Sequence, residues 1–174
     1  PTRGLWTKEE QRQRKAAHSI INNTPMLASR TLDEAFAAFQ RYQLLALTLC
    51  PARIETDKRG TWLLFDASVL PQDARRFVIE RGLAGCLSVT AELLQRPAVP
   101  LAVEMTAAAP GDLEALQRDF PYPVRFGAPR DGILFSNAEL HLNLPQAHIS
   151  AQLEGEQLCE RLCNEISHDL VAPP

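Results

Sequence analysis

Thr48-Leu-Cys-Pro-Ala-Arg-Ile-Glu-Thr-Asp-Lys-Arg-Gly-Thr-Trp-Leu-Leu-Phe-Asp-Ala67 is the stretch whose reading decides the fold. It holds two strand-like runs, Thr48–Thr56 and Thr61–Ala67, separated by Asp57-Lys-Arg-Gly60. Four polar residues ending in Gly suit a tight connection between antiparallel strands, so the stretch reads as a hairpin.

Upstream, Thr31-Leu-Asp-Glu34 reads as a capping box, with the Thr hydroxyl on one orphan amide and the Glu reaching back to another. The helix it opens runs to about Ala46 and carries Leu32, Ala35, Phe36 and Phe39 as an apolar stripe. Downstream, Pro71-Gln-Asp73 starts a helix to about Arg96, stopped by Pro97 and Pro100. A strand over Leu101–Ala107 and a short helix over Gly111–Phe120, opened by Asp112, come next. Val124–Phe126 and Ile133–Phe135 read as short strands around the turn sequence Pro129-Arg-Asp-Gly132. A long final helix spans about Gln146 to Leu170, and a charged helical segment, residues 7–19, lies at the start with Leu5 and Trp6 as anchors. Hairpins mixed with β-α-β units predict an α+β single domain around a mixed or largely antiparallel sheet packed by helices.

The chain has 174 residues, which suits one domain. Hydrophobic content is 45%, charged content 22%, and 18 basic against 21 acidic residues leave a net charge of −3, so disordered and fibrous classes are excluded. The basic stripe of a nucleic-acid binder is missing, the longest basic cluster being Arg12–Lys15. Four cysteines do not make a secreted disulfide framework, no apolar run is long enough to span a bilayer, and a reducing cytoplasmic setting is expected. The chain starts at Pro1 without Met, so a processed or cut piece is expected.

Catalytic constellations are missing too: no nucleophile elbow, phosphate-binding loop, dinucleotide fingerprint or His-Glu-x-x-His motif occurs. Cys159, Cys163 and His168 share a helix but fall short of a four-ligand zinc set, so no metal and no cofactor are expected. Asp66 and Glu104 sit on strands without a companion nucleophile, and read as an exposed strand face or satisfied hydrogen bonds rather than as acid-base catalysts. The residues alone therefore disfavour an enzyme and give a soluble cytoplasmic α+β domain with a candidate pocket and a candidate dimer helix, an enzyme or stand-alone small-molecule binding protein of α+β fold being the alternative.

Two motifs and a connecting segment carry a resemblance. Thr24-Pro-Met-Leu-Ala-Ser-Arg-Thr-Leu-Asp-Glu-Ala-Phe-Ala-Ala-Phe-Gln-Arg-Tyr42 is followed much later by Phe120-Pro-Tyr-Pro-Val-Arg-Phe-Gly-Ala-Pro-Arg-Asp-Gly-Ile-Leu-Phe135 and by Leu140-His-Leu-Asn-Leu-Pro145. Together they resemble the arabinose-binding-like N-terminal effector domain of AraC/XylS-type transcriptional regulators. The resemblance starts at Thr24 and implies an effector-binding and dimerisation domain over 24–174, which leaves residues 1–23 as a separate helical segment by their own propensity. It also implies a homodimer, and DNA contact only through a helix-turn-helix pair outside this chain. Within the signature, Val124, Phe126, Ile133 and Phe135 alternate as inward residues, Arg125 and Arg130 point outward or rim a pocket, and Gly127 supplies a special backbone conformation or close approach.

The effector site is expected on the helix after the hairpin. Gly82–Ala91 holds no charge and reads as buried on all sides, and Gly82 and Gly85 imply close packing by a ligand or by protein. One face groups Phe77, Arg81, Ala84, Gly85 and Ser88, and Phe65, Met105 and Phe126 are expected to form the opposite wall. Arg81 is expected to pair with an anionic ligand group; Arg75, Arg76 and Arg81 are the arginines a cyclic dinucleotide would need, but a small apolar or amphipathic acid fits the charge-free helix better. Leu158, Leu162, Ile166 and Leu170 form a stripe on the final helix that needs a partner, either its own domain or a second chain, and dimerisation is the expectation.

Overall fold

In the computed structural model the described residues are 25–46, 50–111 and 122–171. The segment expected over residues 1–23, the start of the strand at Thr48 and the helix opened by Asp112 lie outside them, as does the side chain of Leu170. In chain order the elements are α1 (Pro25–Ala28), α2 (Leu32–Tyr42) continued by a 3-10 turn (Gln43–Ala46), β1 (Ala52–Thr56), β2 (Thr61–Phe65) and α3 (Gln72–Leu94). They continue as β3 (Ala102–Glu104), β4 (Val124–Arg125), β5 (Gly132–Phe135), α4 (Asn137–Leu140) and α5 (Ile149–Val171).

The hairpin forms as expected, with Ala52 opposite Phe65 and Thr56 opposite Thr61. Asp57 holds its turn: its N–H donates to the Gly60 carbonyl at 2.8 Å, and its carboxylate accepts from Arg59 N–H at 2.7 Å and from the Trp62 indole at 3.1 Å. These donors keep the Asp57 carboxyl below the usual range, the Arg59 amide bond first. The capping box forms with one change. Thr31 Oγ1 accepts from Glu34 N–H at 3.3 Å, but the Glu34 carboxylate accepts the Arg30 amide, one residue earlier than the motif predicts, and pairs with the Arg30 guanidinium.

The sheet order is β1-β2-β5-β3-β4, antiparallel except for the parallel pair of β3 with β4. The fold is thus a single α+β domain with a mixed sheet and a long C-terminal helix. Ile133 and Phe135 face the helices, where the Phe135 ring meets Phe36 at 5.2 Å, while Leu134 turns to the other face with Trp62 and Leu64. Val124 and Phe126 pack against the main core, as the alternation predicts. Gly127 has φ +63 and its absent Cβ would meet open space, so the backbone conformation, not close approach, requires glycine there.

α3 departs from expectation. It is buried along Val78, Ile79, Leu83, Leu87, Thr90, Leu93 and Leu94 only, so the stretch Gly82–Ala91 is not surrounded on all sides. Branched aliphatics four residues apart fix that face; glycine, alanine and serine fill the outer one without polar charge. Of its two glycines, Gly82 is a packing position, where a Cβ would lie 3.3 Å from the Phe65 ring, and Gly85 has nothing within 4 Å. α5 lies against α1 and α2 with Cys159 fully buried and Leu162, Cys163 and Ile166 on the same core.

Candidate functional site

A cleft of about 470 Å³ opens beside the first two turns of α3. Its floor is Phe65, Ala67, Ile79, Met105 and Ala107, and its polar groups are Asp66, Ser68, Gln72, Arg75, Arg76, Thr106 and Asp131. The strand order makes it: β5 separates β2 from β3, so the ends of β2 and β3 and the turn before β5 come together at one edge of the core. The volume lies in the range of small-molecule sites, which pair an apolar surface with a few polar groups.

Arg75, Asp66 and Asp131 are tethered by neutral or backbone partners, and Arg76 by a carboxylate and a carbonyl. Arg75 donates from Nε to the Leu70 carbonyl and from Nη2 to the Ser68 carbonyl, both at 2.8 Å. Arg76 donates from Nε to Glu80 at 2.9 Å and from Nη1 to the Ala108 carbonyl at 3.4 Å. Asp131 accepts from Thr106 N–H at 2.7 Å and from the Thr106 hydroxyl at 2.9 Å, and its own carbonyl accepts from Phe65 N–H at 2.9 Å. Asp66 accepts from Ser68 N–H at 2.9 Å. Hydrogen bonds from Ser68, with Arg53 and Arg75 adding attraction, hold the Asp66 carboxyl below the usual range.

The expected wall residues divide. Phe65 and Met105 line the cleft, whereas Phe126 packs into the core outside its lining. Phe77, 67% exposed, and Arg81, Gly85 and Ser88, all exposed, lie on the outer face of α3 and do not meet the sheet. The helix wall is instead Gln72, Arg75, Arg76 and Ile79. Spacing from Ile79 to Leu83 and Leu87 carried the signal that orients the helix; an aromatic at Phe77 competed with it. The loop residues Ser68, Thr106 and Asp131 left no sequence signal, because only the sheet brings them together.

Two further clusters are structural. Glu104, 4% exposed, pairs with Arg125 at 2.8 Å and Arg130 at 3.7 Å, and Arg130 also covers the Trp62 ring at 4.9 Å. The satisfied reading of Glu104 is the one found. All four cysteines are free, and among the described residues no group of three His, Cys, Asp or Glu side chains is close enough to hold a metal ion. Burial pushes the Cys50 thiol up to about 11 and the Cys86 thiol up to about 12. Cys50 is therefore expected to react with iodoacetamide at pH 8 about 100-fold more slowly in the folded chain than in urea, because only the thiolate attacks. Peptide mapping checks this; equal rates would mean an open thiol.

The model of the arabinose-binding domain of AraC transcription regulator, N-terminal, matches residues 21–144, more than half of the chain. Among solved structures, the crystal structure of the transcriptional regulator CdpR from Pseudomonas aeruginosa superposes with a TM-score of 0.62 at 13% identity, over 88% of this chain and 62% of that one. At that identity the likeness concerns the fold, and this chain spans less than two thirds of that regulator. No curated protein sequence matches the chain. No helix among the described residues is long and apolar enough to cross a membrane. On the family match, the chain belongs to the arabinose-binding N-terminal domains of AraC transcription regulators.

Proposed function

We propose that this chain is the ligand-sensing and dimerisation part of a cytoplasmic transcriptional regulator, taking a small-molecule effector in the cleft between α3 and the ends of β2 and β3. The observation that carries the reading is the tethered charged rim around an apolar floor, in a domain of this regulator family. DNA contact belongs to a helix-turn-helix part outside this chain, which agrees with the net charge of −3. Effector binding changes how two copies present that part, and α5 is the element proposed to join them as a homodimer.

Filling the cleft tests the assignment. Ala107 is half-buried in its lining, so Ala107→Trp occupies the space without adding charge. An effector at a hundred times its Kd stabilises a domain by about 2.7 kcal/mol, which raises Tm by several degrees. The parent is expected to show that shift, and Ala107→Trp to lose it, together with the effector response of the complete regulator, while keeping the ligand-free Tm. An undiminished response would place the effector elsewhere.

A further inference from the structure

The cleft holds two guanidinium groups and two carboxylates, yet no ion pair joins Arg75 or Arg76 to Asp66 or Asp131. Each is fixed by something else: Arg75 by carbonyls, Arg76 by Glu80 and a carbonyl, Asp131 by Thr106, Asp66 by the Ser68 amide. Among the described residues, Arg75 Nη1 and Arg76 Nη2 have no partner. Glu80 matches Arg76, and Arg75 attracts Asp66 without an ion pair, so the cleft presents separated donor and acceptor groups, a preorganised pair of subsites for an anion and for a cation.

We propose that the effector is a small zwitterion carrying one carboxylate and one ammonium group, of the α-amino acid class, with the carboxylate on Arg75 and Arg76 and the ammonium on Asp66 and Asp131. This rests on the cleft being the effector site. A planar carboxylate matches guanidinium donors. An ammonium supplies donors to carboxylates that have none to give. The side chain of the ligand then lies on Phe65 and Met105. A simple acid would leave the two aspartates unmatched, a simple amine would leave the two arginines unmatched, and a polyphosphate would bring excess negative charge against the aspartates.

The test is calorimetric titration of this chain with the twenty common α-amino acids, with the deaminated acid and the decarboxylated amine of the tightest binder, and with L-arabinose. One amino acid is expected to bind, with its acid and amine each about 10- to 100-fold weaker, the worth of a hydrogen bond to a charged group. Arg76→Gln should weaken the amino acid and the acid but leave the amine unchanged. Asp66→Asn should weaken the amino acid and the amine but leave the acid unchanged. A merely structural role for either residue would weaken all three alike, and that pattern overturns the assignment. Binding of L-arabinose or of the acid alone, as tight as any amino acid and abolished by Ala107→Trp, overturns the zwitterion and leaves the cleft as the effector site. Amino-acid binding that Ala107→Trp leaves intact overturns the cleft itself. Silence from the whole panel overturns the zwitterion class.

Discussion

Gly60→Ala is expected to lower the unfolding free energy by about 3 kcal/mol or more, at the severe end of single substitutions. Gly60 closes the hairpin with φ +156, and a Cβ there would lie 2.1 Å from the Phe135 carbonyl oxygen and 3.1 Å from its carbon. Both are backbone atoms of β5, which carries four buried residues and is paired on both edges, so nothing flexible is available to move aside. Relief would require sliding β2 against β5 and breaking the register that puts Thr61 opposite Phe135. Gly127→Ala is the control: φ is +63, but the Cβ would meet open space, so conformation alone counts, about 1 kcal/mol. Urea denaturation checks both through a shifted midpoint at unchanged slope. Equal losses would show that the hairpin yields easily.

What the sequence tells about this fold is local. Asp57-Lys-Arg-Gly60 states its own turn, since one aspartate satisfies two turn amides and the following indole. The Thr31 cap and the end of α3 are also written in neighbouring residues, although Gln95, not glycine, takes the left-handed position at φ 54. Faces are harder. α3 was legible as a helix but not in its orientation, because Ala84, Gly85 and Ser88 are as charge-free as the buried positions opposite them. A stretch of helix with no charged side announces no outside. The strands after Ala98 lie close to where the sequence puts them, but the parallel pairing of Val103 with Val124 depends on chain that returns from far away. For the same reason the sequence groups Phe65 with Met105, both of which line the cleft, but does not bring Asp131 to Thr106. The two meet by a hydrogen bond across 25 positions.

The stripe of α5 gives the other large effect. Leu162→Glu combined with Ile166→Glu is expected to cost about 3 kcal/mol of folding stability, through lost apolar burial and two carboxylates that must leave water. Both side chains pack against the domain's own core beside buried Cys159. Burial first, with the nearby charges of Glu160 and Glu156 adding, pushes the Tyr42 hydroxyl up to about 12, so α2 and α5 already share a dry, acid-flanked seam. The two new carboxylates, four residues apart on one helix face, would also repel each other. The exposed pair of Arg41 with Glu160 at 2.9 Å offsets little. On the proposed homodimer, Leu158, half-buried at the margin of the stripe, is the position that would separate folding from assembly. Leu158→Glu is expected to yield monomers by light scattering with a Tm close to the parent's, whereas the double variant melts early whatever its mass. A double variant that is monomeric and as stable as the parent would assign Leu162 and Ile166 to the contact between copies, and α5 would then belong to the dimer before it belongs to the core.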